Sequence, residues 1–143
     1  MSMTKLYSVI CLLIALSILA TGCAAPKPAA LTDEEILVVT QNVLSALDAN
    51  DYAAFTRDYS PDMLAAYNQD KFTQLRDQLQ SASGKYISTG KVSLSNNKGY
   101  AVYRIICKYE QEDVVVTIVF KVDGKQIEGL FFDSPNLRTA VQK

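Results

Sequence analysis

The chain has 143 residues, with 14 basic side chains against 15 acidic ones and a net charge of −1. That balance offers no electrostatic footprint for nucleic acid. Histidine and tryptophan are both absent. Without histidine there can be no Ser-His-Asp triad and no histidine-containing zinc site, and the commonest general base is missing.

The first feature along the chain is a segment with the marks of an export signal. Lys5 is followed by an uncharged run from Leu6 to Ala20, which gives way to Thr21 and Gly22 directly before Cys23. A positive start, an apolar stretch and a small-residue cleavage site read as a secretory signal. The run of 15 residues is short for a membrane-spanning helix, which needs about 20. A cysteine placed immediately after small residues resembles the lipobox of bacterial and archaeal lipoproteins. The resemblance implies acylation of Cys23, cleavage before it, and a mature chain held on the extracytoplasmic side of a membrane in the cell envelope. Ala20 departs from that pattern, since the family prefers leucine there.

Four parts follow from this reading: a signal over 1–22, a lipidated cysteine and tether over 23–31, a folded domain over 32–133 and a tail over 134–143. Removing the signal leaves 121 residues, enough for one domain with its own core. Cys11 leaves with the signal and Cys23 would be acylated, so Cys107 has no disulfide partner. Pro26 and Pro28 favour an extended tether.

Thr32 and Glu35 form a capping-box pattern that opens a helix carrying Ile36, Val39, Val43, Leu44 and Leu47 at helical spacing. Ala49-Asn50-Asp51 breaks it. A short helix with Tyr52, Phe55 and Tyr59 follows, and Ser60-Pro61 restarts the chain as a cap and a first-turn proline. Asp70 opens a further helix with Phe72, Leu75 and Leu79 on one side, and Gly84 is its expected cap. After Tyr86 the period changes to two, with strands expected over 87–95, 100–109, 114–121 and 126–133. Asp123-Gly124 in the last turn signals a two-residue hairpin.

Pairing each strand through its turn gives rows Val92–Tyr103–Phe120–Ile127, Gly90–Ile105–Ile118–Gly129 and Ser88–Cys107–Val116–Phe131. These rows form the face expected to meet the helices. Ile106, Val115, Val119, Leu130 and Phe132 are expected on the opposite face, covered either by the tail or by a second copy of the domain. The glycines at 90 and 129 predict a bent sheet. The fold class is therefore α+β, with N-terminal helices packed on a curved four-stranded antiparallel sheet.

The segments from Leu47 to Phe55 and from Tyr59 to Asp62 are similar to the helix–break–helix phrase of the nuclear transport factor 2-like superfamily, an α+β cone fold. Gly84 to Ile87 and Val122 to Phe132 resemble the family called domain of unknown function 3887. Cone-fold enzymes place an acid/base pair in the hollow between helices and sheet. The resemblance thus makes Asp58 with Tyr59 or Tyr103 the candidate catalytic set of a small lyase or isomerase, with Tyr67 and Tyr109 behind them. A candidate binding hollow comprises Tyr59, Tyr67, Tyr103, Phe120 and Phe131.

Simpler readings compete with each. Tyrosines on apolar helix faces usually bury their rings, Asp58 beside Arg57 reads as a solvated pair, and Cys107 reads as a small core hydrophobe. Asp33, Glu34 and Glu35 suit a helix N-terminus without any metal. No metal, cofactor or nucleic acid is expected. The expected function is a membrane-anchored, non-catalytic domain for a small apolar ligand or an envelope protein. Its alternatives are the lyase or isomerase and a purely structural lipoprotein that dimerises through the sheet.

Overall fold

The computed structural model describes residues 31–141. The signal, Cys23 and all of the tether except Leu31 lie outside the described residues. Five helices and four strands follow one another as α1 (Asp33–Asp48), α2 (Tyr52–Thr56), α3 (Pro61–Ala66), α4 (Gln69–Ser83), β1 (Tyr86–Asn97), β2 (Tyr100–Tyr109), β3 (Asp113–Lys121), β4 (Ile127–Asp133) and α5 (Pro135–Val141). The four strands form one antiparallel sheet in sequence order. The fold class is α+β, as the sequence predicts.

Local chemistry accounts for the helix starts. The Thr32 hydroxyl accepts from the Glu35 N–H at 3.2 Å, and the Glu35 carboxylate accepts from the Thr32 N–H at 2.8 Å. This satisfies two of the N–H groups that a helix start leaves open. Asp51, Ser60 and Asn68 cap α2, α3 and α4 more simply, each side chain accepting one N–H, from Ala54, Met63 and Lys71. Helix α4 therefore begins one residue before the expected Asp70. Ile36, Val43, Leu44 and Leu47 of α1 are buried, and the helix packs on α2, α4 and β1. Thr40 is buried among them, with its hydroxyl donated to the Ile36 carbonyl at 2.7 Å.

The sheet follows the expected faces in β2, β3 and the Val92 end of β1, in a shifted register. Before the bulge at Gly90 and Lys91 the faces of β1 reverse, so Thr89 rather than the expected Ser88 opposes Cys107, and Ser88 opposes Lys108. Tyr103 pairs with Ile118 and Ile105 with Val116, and Val92 pairs with Ile105. Each pairing lies two residues from the expected row, because both turns close over two residues instead of four. Lys98 and Gly99 take φ of 47° and 87°, the two positive values of a type I′ hairpin. Between β2 and β3, the Tyr109 N–H reaches the Glu112 carbonyl at 3.0 Å across Glu110 and Gln111. A two-residue slip preserves the faces, so Tyr103, Ile105, Cys107, Val116, Ile118 and Phe120 are all buried.

In β4 the expectation fails. Phe120 pairs with Ile127 as expected, but Val119 pairs with Gly129, Ile118 with Leu130 and Thr117 with Phe131. The bulge leaves Glu128 as the extra residue and reverses the faces that follow. Leu130 and Phe132 therefore turn toward the helices and pack against the core, while Phe131 points outward and is 62% exposed. The cause is the other side of the strand. The Ile127 N–H donates to the Asp58 carbonyl at 2.7 Å, and the Ile127 carbonyl accepts from the Ser60 N–H at 3.0 Å. The α2–α3 junction thus binds the start of β4 as a fifth strand would. Asp123-Gly124 does not form the expected two-residue hairpin, since residues 122–126 separate the strands and Gly124 has no positive φ.

The tail does not cover the outer sheet face. Residues Pro135–Val141 form a helix packed on α4, with Leu137 against the core. One carboxylate fixes it. Glu112 accepts from the hydroxyls of Ser83 at 2.6 Å and Ser134 at 2.7 Å, and from the Asn136 N–H at 3.1 Å. It ties the end of α4, the β2–β3 turn and the start of α5 into one knot.

Candidate functional site

The expected hollow is occupied by its own side chains. Tyr59, Tyr103 and Phe120 are 2%, 0% and 0% exposed. The rings of Tyr103 and Phe120 meet edge to face at 5.8 Å, and Tyr59 packs the same way on Phe55 at 5.4 Å. Tyr67 is half-buried beside Tyr59, and Phe131 is on the outward side of β4, reaching Tyr67 only at the rim of a depression along that edge that Leu75, Phe132 and Leu137 also line. The five residues named from sequence therefore do not line one cavity. Three are packed core, one borders the core and one is outside it.

The same geometry separates the proposed acid and base. Tyr59 forms a bridge with Ile127, and successive residues in extended backbone point opposite ways. Tyr59 accordingly turns inward while Asp58 turns to the surface, where Arg57 holds its carboxylate through two hydrogen bonds at 3.0 and 2.8 Å. Burial, with Tyr67 and Tyr52 nearby, pushes the Tyr59 phenol far above its ordinary value. The Tyr59 hydroxyl has no hydrogen-bond partner among the described residues. Burial and the neighbouring Tyr52 push Tyr67 up to about 12. Tyr109 moves the same way, mainly through burial. Burial alone raises the Cys107 thiol to about 12, so the thiolate is scarce.

Tyr103 has a definite task. Its hydroxyl donates to the Leu31 carbonyl at 2.6 Å and accepts from the Leu31 N–H at 2.8 Å. Leu31 is 6% exposed and belongs to the core. A tyrosine in the middle of the sheet therefore fixes the chain one residue before the α1 cap. Leu31, expected in the tether, is thus part of the core.

An open depression beside this point is a candidate site for a ligand. It has a volume of about 400 Å³ and is lined by Leu31, Val38, Val39, Glu34, Glu35, Asp58 and Lys125. Its floor is apolar and its rim charged. Glu35 accepts from Lys125 at 3.2 Å. The Thr32 N–H first, and Lys125 second, hold the Glu35 carboxyl below its ordinary range. Sequence reasoning found Asp58 and the capping box but missed Val38 and Lys125. Val38 is 64% exposed on the solvent side of α1, and Lys125 arrives only through the β3–β4 loop.

Among the described residues no three acidic or cysteine side chains gather as a metal site. No helix of the described residues is long and apolar enough to cross a membrane.

An α+β domain with a filled interior and surface-borne polar groups is thus defined. A family model described as Protein of unknown function (DUF3887) matches residues 40–130, from the middle of α1 into β4. The chain belongs to that family. No curated protein matches it.

Proposed function

We propose that this protein is a lipoprotein of the cell envelope, anchored through acylated Cys23 on the extracytoplasmic side of a membrane, with a mature domain that binds a partner or small apolar ligand and performs no catalysis. We further assign the domain to the nuclear transport factor 2-like superfamily, on the order of its elements, helices before a four-stranded antiparallel sheet that α1 packs against. The observation that carries the non-catalytic reading is the filled interior. Tyr59, Tyr103 and Phe120 occupy the space where a cone-fold enzyme holds its substrate. Asp58, the only carboxylate among the sequence candidates, is turned away from them.

The anchoring reading draws support from the sequence before Cys23 and from the clamp on Leu31. Seven residues separate Cys23 from Leu31. Eight virtual bonds of about 3.3–3.6 Å span at most about 28 Å. A domain clamped at Leu31 would sit close to the bilayer, within reach of other envelope proteins. One acyl chain holds only marginally, and each buried CH₂ adds about 0.8 kcal/mol, so firm retention needs more than one chain.

The test is the mass of the mature N-terminus together with cell fractionation. The expected result is an N-terminal Cys23 carrying acyl groups, and transfer of Cys23→Ser to the uncleaved or soluble fraction. An unmodified Cys23 in the wild type overturns the anchor. For the non-catalytic reading, soaking the chain with small carbonyl compounds should leave them unchanged in mass and configuration. Turnover lost in Asp58→Asn would overturn it.

A further inference from the structure

The outer face of the sheet carries a pattern that the proposed anchoring does not use. Ile106 pairs with Val115, Val102 with Val119 and Thr117 with Phe131, and these side chains turn away from the helices. Ile106 is 44% and Phe131 62% exposed. A single exposed apolar residue needs no explanation, but a strip across three neighbouring strands marks a contact surface. The helix that could have covered it, α5, packs on α4 instead.

Two cations border this strip. Lys91 and Arg104 line a shallow depression of about 270 Å³ with Ser93, Ile106 and Val115. The other charges on this face are matched. Lys108 meets Asp113 at 3.5 Å, Lys121 meets Glu128 at 2.9 Å, and Arg138 holds Asp133. Among the described residues neither Lys91 nor Arg104 makes an ion pair, although Arg104 is near enough to Asp133 to help Arg138 hold that carboxyl below its ordinary value. Their placement is built into the strand. The register of β1 shifts between Thr89 and Val92, so that Gly90 and Lys91 together oppose Ile106. A Cβ at position 90 would stand 2.8 Å from the Ile106 carbonyl oxygen, so only glycine lets the backbones approach this closely. The bulge sets Lys91 beside Arg104.

We propose that this face docks an envelope protein through a segment of apolar side chains flanked by carboxylates. The carboxylates would seat on Arg104 and Lys91, and the apolar side chains on Ile106, Val115 and Phe131. Charge complementarity selects this occupant. A second copy of the chain, turned about an axis along the strands, would bring the cations onto β4, whose Glu128 and Asp133 are already paired. Turned about an axis across the strands, it would set cations over cations. An anionic bilayer would meet Asp113, Glu128 and Asp133 on the same surface. A protein segment can carry its carboxylates at one end only. Two cations that form no ion pair, side by side on one patch, give an acidic partner its landing point. This proposal rests on the reading of the domain as an interaction module.

The experiment uses the full chain in its own cells, with the photo-crosslinking amino acid p-benzoylphenylalanine replacing Ile106, and Gln74 on exposed α4 as the control position. Irradiation should give one discrete adduct with another protein from position 106 and none from position 74. The crosslinked peptide should contain aspartate or glutamate. Lys91→Glu with Arg104→Glu should lower the adduct yield at least five-fold while the melting curve of the chain is retained. An adduct of twice the chain's mass, an adduct with lipid alone, no adduct, or one indifferent to the charge reversal would each overturn the proposal. Fractionation of the same cells separates the two readings. A charge-dependent adduct from a chain that is not membrane-bound supports the docking face and overturns only the anchor.

Discussion

Two tyrosines of the core should respond to the same substitution with opposite signs. The Tyr103 hydroxyl satisfies both backbone groups of Leu31, at 2.8 and 2.6 Å, inside the core. Tyr103→Phe removes one oxygen and leaves a buried N–H and a buried C=O without a partner. An unsatisfied buried polar group costs about 1–3 kcal/mol, and water entering the space the oxygen leaves would relieve part of it, so the loss should be about 2–4 kcal/mol. Tyr59 is the reverse case, since its hydroxyl is buried with no partner among the described residues. Tyr59→Phe deletes an unpaired group and keeps the ring contacts with Phe55 and Tyr67. It should leave stability unchanged or raise it by about 1 kcal/mol. Urea unfolding reads both. With an m-value of about 1.5 kcal/mol per molar, Tyr103→Phe should lower the midpoint by about 1.3–2.7 M and Tyr59→Phe should not lower it. Equal losses in the two variants would refute the reasoning, because they would mean that the hydroxyls share one environment.

The bulge in β4 predicts that Phe132→Ala destabilises by about 2–3 kcal/mol, whereas Phe131→Ala, on the exposed side, changes the urea midpoint by less than about 0.5 kcal/mol equivalent; the opposite order would restore the unbulged register. Glu112 predicts a pH dependence. Burial raises its carboxyl, but hydrogen bonds from Ser134, Ser83 and the Asn136 N–H outweigh that and leave it below its ordinary value. A depressed folded value contributes stability above the unfolded value of about 4.3 and loses it as pH falls through the folded one. The wild-type advantage over Glu112→Gln in thermal unfolding should therefore be full at pH 7 and disappear on acidification below the ordinary glutamate range. An advantage that persists there would contradict the assignment.

The elements were legible where one residue type has one local use. Thr32 with Glu35 and Ser60 with Pro61 are capping signals that act within four residues, and both hold. Ser134 with Pro135 is the same signal as Ser60 with Pro61. It announces α5, where the Leu137 N–H donates to the Ser134 hydroxyl at 3.2 Å, and it was read as tail. The faces of β2 and β3 were legible because alternation survives a two-residue slip. The pairing itself was not, since Asn96 to Gly99 and Glu110 to Asp113 do not announce whether two or four residues form the turn. The site was less legible than the fold. Tyrosine spacing cannot say whether a hydroxyl faces a cavity, a backbone or nothing, and here Tyr103 meets a backbone while Tyr59 meets no partner.

The error at β4 has one cause, and that cause connects the fold to its surfaces. A strand's alternation is set by its neighbours on both edges, and the sequence of β4 shows only its own side chains. Ile127 is held by β3 on one side and by Asp58 and Ser60 on the other. Satisfying both fixes its peptide and pushes the extra residue, Glu128, out of the ladder. One residue later every side chain has changed face. Leu130 and Phe132 then complete the core beneath α5, and Phe131 is delivered to the outer face beside Val119. On the far edge, the bulge at Gly90 and Lys91 delivers a cation to the same face. Two irregularities on opposite edges of the sheet thus supply an aromatic and a charge to one surface. A regular ladder of the same sequence would have buried Phe131 and turned Leu130 and Phe132 out onto this face, leaving the core beneath α5 without them.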